Sequence, residues 1–159
     1  MCRWELFMNR YANQSTVKSI PLPQIGPVLY GTEAGSDTDD ALEAVCDLAD
    51  AKHGQIELIH VVDLAHVASK PDAHMGIQHR LEMLARKLKK VERNVVSVLL
   101  FGSPEDVISK RATEVRAKLI AFDSYSGSSP KARRGLIDRL MRRVSCPVVI
   151  LSGKTSRTK

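Results

Sequence analysis

The sequence predicts an α/β domain: an open parallel five-stranded sheet with helices on both faces. Three features carry that expectation. Short apolar runs rich in Val, Ile and Leu recur along the chain, as in strands buried on both faces. Longer stretches between them repeat their apolar residues at helical spacing. Gly, Pro or Ser breaks punctuate the alternation. Strands that alternate with helices pair in parallel through right-handed crossovers.

Pro27-Val28-Leu29-Tyr30-Gly31-Thr32 reads as the first strand. Glu33-Ala34-Gly35-Ser36 turns it, and residues 36–40 supply an N-cap and an acidic first turn for the first helix. That helix is expected to end near Lys52, with Ala41, Leu42, Val45, Leu48 and Ala49 inward and Gly54 as a left-handed stop. Residues 55–62 form the second strand, 63–72 a loop, and 75–93 the second helix, with Ile77, Leu81, Leu84, Leu88 and Val91 in one stripe. The third strand, 94–101, is rich in β-branched residues and is broken by Gly102. Ser103-Pro104-Glu105-Asp106 starts a helix well: a capping Ser, Pro in the first turn, then acids against the dipole. Val107, Ile108, Ala112 and Val115 face inward from it.

Leu119-Ile120-Ala121-Phe122 is the fourth strand, and Ser126-Gly127-Ser128-Ser129-Pro130 cannot continue it. Leu136, Ile137, Leu140, Met141 and Val144 then share one helical face, with Arg139, Arg142 and Arg143 on the other. Pro147-Val148-Val149-Ile150-Leu151 is the last strand, uncharged and begun by a proline where no ladder donor is needed. Residues 1–25 lack a period and read as an extended arm, although Trp4, Phe7 and Tyr11 sit at helical spacing. Residues 26–152 form the domain, and 153–159 a polar tail.

The 159 residues suffice for one domain with a real core. No apolar run is long enough to span a membrane, and Trp4-Glu5-Leu6-Phe7 is too short and too charged for a secretory signal. Cys2, Cys46 and Cys146 are odd in number and lack metal-ligand spacing, so they read as reduced thiols in a cytoplasmic protein. Net charge is +6, with nine Lys/Arg and the single acid Asp138 from residue 131 onward. Seven carboxylates and no Lys or Arg fall in 33–50. Two readings of these blocks stand: solvated helix faces that attract each other weakly, or a phosphate- or nucleic-acid-binding face. Aromatic content of 4% offers few stacking platforms and speaks against nucleic acid.

A strand that feeds a small-residue loop into a helix start makes an anion pocket, because loop amides and the helix dipole point to one place. The turn after the fourth strand has that form. His60 reads as a core histidine with a satisfied ring. His66, His74 and His79 share no metal-ligand geometry. No Ser lies in a nucleophile elbow, so catalysis is not expected and the chain reads as a non-enzyme. The uncharged last strand needs a cover, and a two-fold partner that adds its own edge supplies one.

Three stretches together resemble the universal stress protein family: Val28-Leu29-Tyr30-Gly31-Thr32-Glu33, Leu58-Ile59-His60-Val61-Val62-Asp63, and Gly102-Ser103-Pro104-Glu105-Asp106-Val107-Ile108 with the closing Ser145-Cys146-Pro147-Val148-Val149-Ile150-Leu151. The resemblance implies a Rossmann-like sheet of the adenine nucleotide alpha hydrolase-like type, in order 3-2-1-4-5. It implies a stress-response binding or regulatory module, joined as a homodimer through the last strand. It places a nucleotide crevice at Thr32, Glu33, Val61, Ser126, Gly127, Ser128, Ser129 and Gly135, for ATP or another adenine nucleotide, with Mg²⁺ only alongside the nucleotide. The chain departs from the family pattern there. Asp123 and Ser126 stand at two glycine positions, Leu136 replaces a hydroxyl residue, the spacing is one residue short, and Glu33 replaces the usual Asp. Asp123 sets a carboxylate where backbone approaches a polyphosphate, while Lys131, Arg133 and Arg134 offer positive charge. Two readings stay open: a crevice that takes an adenine nucleotide, and a ligand-free dimer that acts through protein contacts or phosphorylation of the Ser loop.

Overall fold

In the computed structural model the described residues are 26–32, 39–49, 54–64, 76–89, 94–123 and 130–151. The expected arm (1–25) and tail (153–159) lie outside them. Nine elements alternate: β1 (Val28–Gly31), α1 (Asp39–Leu48), β2 (Gln55–Val62), α2 (Ile77–Lys89), β3 (Asn94–Phe101), α3 (Pro104–Glu114), β4 (Leu119–Asp123), α4 (Pro130–Arg143) and β5 (Val148–Leu151). The five strands form one sheet in the order β3-β2-β1-β4-β5. Every pairing is parallel, and Gly31 lies opposite both Ile59 on β2 and Phe122 on β4. The winding therefore reverses between β1 and β4.

Strand alternation divides the core between the two faces. Val28, Tyr30, Ile56, Leu58, Val95, Leu119 and Ala121 pack against Leu42 and Val45 of α1 and Leu81, Ala85 and Leu88 of α2. On the opposite face Leu29, Ile59, Ile120, Phe122 and Val148 meet Ile108 and Ala112 of α3 and Ile137 and Leu140 of α4. Burying each such large side chain contributes about 1.5–3 kcal/mol.

Particular residues refine the expected elements. Met141 is 38% exposed, not inward, because one residue past Leu140 is a 100° turn away from the buried stripe. Ser103 has extended backbone but makes no side-chain cap bond; α3 starts instead with the amides of Asp106 and Val107 donating to the Ser103 carbonyl. The acidic and basic blocks do not attract each other as neighbours, since α1 and α4 pack on opposite faces of the sheet. The basic helix finds its acids on α3: Arg139 pairs with Glu105, and Arg143 with Asp106 and, at 3.7 Å, Glu105.

Two glycines have steric reasons. A Cβ on Gly31 would lie 2.4 Å from the Phe122 ring, so the close approach of β1 and β4 needs a bare backbone there. Gly102 has φ +134, a conformation side chains disfavour, and its amide donates to the Val62 carbonyl at 3.0 Å. It turns the chain from β3 into α3.

Candidate functional site

The winding reverses between the carboxyl ends of β1 and β4, the place where open α/β sheets bind ligands. Thr32 lies one residue beyond the β1 pairing and is 5% exposed. Its backbone is held from the β2 side. The Thr32 amide donates to the Ile59 carbonyl at 2.9 Å, and the His60 Nδ1 donates to the Thr32 carbonyl at 2.8 Å. A carbonyl only accepts, so Nδ1 carries the proton. His60 is thus a half-buried histidine with a satisfied ring nitrogen, and it fixes the end of β1.

At the end of β4 the chain places an acid. Asp123 extends β4 by a residue beyond the expected strand, pairs with Leu151 of β5, and is 0% exposed. Burying an ionised carboxylate is costly unless it is partnered, and Asp123 has a partner. Beyond residues 124–129 α4 opens with Lys131 and Arg134 exposed and Arg133 half-buried. There is no acid in its first turn. Positive side chains at the positive end of a helix dipole suit an anion, and a carboxylate suits hydroxyl or amino donors. The described residues therefore set a basic opening of α4, suited to an anion, beside a buried acid that already has a partner.

The structure brings Thr32 and Asp123 to adjacent strand ends, with Val61 half-buried near the end of β2. Gly135 is placed differently. It lies well over a turn inside α4, where its amide is consumed by the helical ladder rather than presented to a ligand. Glu33, Ser126, Gly127, Ser128 and Ser129 lie outside the described residues. Among the described residues no group of His, Cys, Asp and Glu is arranged to hold a metal ion. Nor, among them, is any helix long and apolar enough to cross a membrane.

Sequence reasoning missed one ionic site. Glu57, 3% exposed in the middle of β2, accepts two hydrogen bonds from Arg111 of α3, Nε to Oε2 at 2.9 Å and NH2 to Oε1 at 2.8 Å. The hydrogen bonds it donates to Glu57 raise the pKa of the Arg111 guanidinium above its ordinary value. The signal was a lone Glu in an apolar strand, in phase with Ile59 and Val61, which requires a cation from the covering helix. This pair pins α3 to the sheet.

A doubly wound parallel sheet with its switch point between β1 and β4 defines the class. Within that class, the model of the universal stress protein family matches residues 25–152, and this chain belongs to that family. No curated protein matches the sequence. Among solved structures, hypothetical protein MJ0577 superposes with a TM-score of 0.68 at 20% identity, over 84% of this chain and 99% of that one. The universal stress protein from Archaeoglobus fulgidus in complex with dAMP gives 0.58 at 17%, over 79% and 96%. A family member from Arabidopsis thaliana with AMP bound gives 0.53 at 18%, over 84% and 96%. At these identities the likeness concerns the fold.

Proposed function

We propose that this chain is a non-catalytic regulatory module that binds an adenine nucleotide in the crevice between the ends of β1 and β4. The observation that carries the reading is the adjacency of Thr32 and Asp123 at the switch point, ahead of a helix that opens with basic residues. Solved relatives of the same fold hold dAMP and AMP, which supports the choice of ligand. α4 supplies the positive end for phosphate, and Asp123 lies buried at the strand end, where its carboxylate would oppose added negative charge. A monophosphate fits better than ATP. Each added phosphate brings negative charge towards a buried carboxylate in a medium that screens poorly. ATP is the competing cargo, and Mg²⁺ would accompany it as a neutralising ion.

The module works as a homodimer joined along β5. That strand is an edge of the sheet, and Val149, Ile150 and Leu151 remain half-buried rather than covered. An apolar edge calls for a partner strand. Cys46 and Cys146 are buried free thiols, in keeping with a reducing, cytoplasmic setting.

Thermal unfolding with increasing AMP or ATP, each with and without Mg²⁺, tests the reading. A ligand that binds only the folded state raises the melting temperature with concentration. AMP is expected to do so at lower concentration than ATP. An unchanged melting temperature at millimolar levels of both would leave the ligand-free dimer as the better account.

A further inference from the structure

The basic residues at the end of α4 serve a second purpose that the crevice does not explain. Arg142-Arg143-Val144-Ser145 places two guanidinium groups three and two residues before a serine. Arg142, Arg143 and Ser145 are all exposed. Ser145 lies in the short connection between α4 and β5, outside any helix or strand. Kinases that select arginine before the acceptor do so with acidic pockets; Arg142 is exposed with no ion pair among the described residues, and Arg143 is exposed although it pairs with Asp106 and Glu105.

We propose that Ser145 is a phosphorylation site for an arginine-directed serine kinase, and that its phosphate draws Arg143 away from α3. In the transfer the Ser145 Oγ attacks the γ-phosphorus of ATP. The bond from that phosphorus to the bridging oxygen breaks, ADP leaves with the electron pair, and the hydroxyl proton passes to the kinase base. The product carries about −1.5 to −2 charge at the carboxyl end of α4. There the helix dipole opposes it and the neighbouring guanidinium groups attract it. Arg143 holds Asp106 and Glu105 in the unmodified chain. A doubly charged phosphate two residues away competes with those two carboxylates for the same cation. The modification thus loosens the clasp between α3 and α4, three residues before β5 begins.

The geometry also sets a condition. Val144 is half-buried and Cys146 buried, so the segment must peel locally from the sheet to enter a kinase cleft. Only the last turn of α4 and the 144–147 connection need to open, ahead of the β5 pairing that the dimer would use.

The test incubates the folded full-length chain with an arginine-directed serine kinase and ATP, alongside a no-kinase control that detects label entering by the chain's own nucleotide site. Ser145→Ala is expected to lose the kinase-dependent label. Arg142→Gln removes an arginine that has no ion pair among the described residues, and it should lower labelling efficiency about tenfold or more. In the phosphorylated chain, amides of α3 and α4 should exchange faster than in the unmodified one. Label on the native chain equal to that on Ser145→Ala would overturn the proposal. So would label that appears only after heat denaturation. Phosphorylation at Ser145 that leaves exchange in α3 and α4 unchanged would overturn its second half.

Discussion

At the end of β1 the backbone is held by hydrogen bonds with β2, through the Thr32 amide and the His60 ring. At the end of β4, one strand across, a fully buried carboxylate occupies the corresponding place. The two walls of one crevice are therefore secured by different chemistry. The β1 wall is a fixed lip that suits many polar ligands. The β4 wall carries an acidic group, and under the proposed function that group would separate ligands that differ in phosphate number. The difference teaches that two neighbouring strand ends of one sheet can be held by different groups.

Substitutions at Asp123 break the comparison most strongly. Asp123→Leu strands the partner of a buried carboxylate and should cost about 3 kcal/mol in chemical denaturation. Asp123→Asn keeps the shape and removes the charge, and should raise ATP affinity relative to AMP about tenfold in parallel titrations. An unchanged ratio would show that Asp123 does not face the phosphates. Next in size is Gly31→Ala, which drives a methyl into the Phe122 ring and should destabilise by about 2 kcal/mol. The loss should be smaller if Phe122 is reduced to Leu in the same chain. His60→Ala removes the donor to the Thr32 carbonyl and should cost about 1 kcal/mol, with weaker nucleotide binding as the sharper readout.

A pH profile adds a control just ahead of the start of β5. Burial pushes the Cys146 thiol from 9.0 up to about 11. The unfolded chain loses this proton first as pH rises. Stability contributed by the neutral thiol is therefore complete below pH 9, falls between 9 and 11, and is lost above that. The slope is at most about 1.4 kcal/mol per pH unit. Denaturation of Cys146→Ala across this range should show a shallower decline than the parent; parallel curves would contradict the burial assigned to the thiol.

Much of this was legible in the sequence because it is local. β2 and β3 match their expected bounds to the residue, since Gly54 and Gly102 flank apolar runs of strand length. The sheet order came through family resemblance, because pairing β1 with β4 joins segments about 90 residues apart and no local period reports it. The same distance hid the Glu57–Arg111 pair, whose members are separated by 54 residues. The positions of Thr32, Val61 and Asp123 at strand ends were readable from the strand pattern. The placement of Gly135 was not, because a Gly-containing run tolerates both loop and helix, and only α4 beginning at Pro130 decides between them.

The most direct test of the crevice is a backbone amide spectrum of the ¹⁵N-labelled chain titrated with AMP. The amides of Thr32, Phe122, Asp123 and the first turn of α4 should shift together and saturate at a single affinity, while those of α2 and the lower half of β3 stay still. Saturating shifts centred elsewhere, or no shifts at millimolar AMP and ATP, would contradict a nucleotide site between β1 and β4.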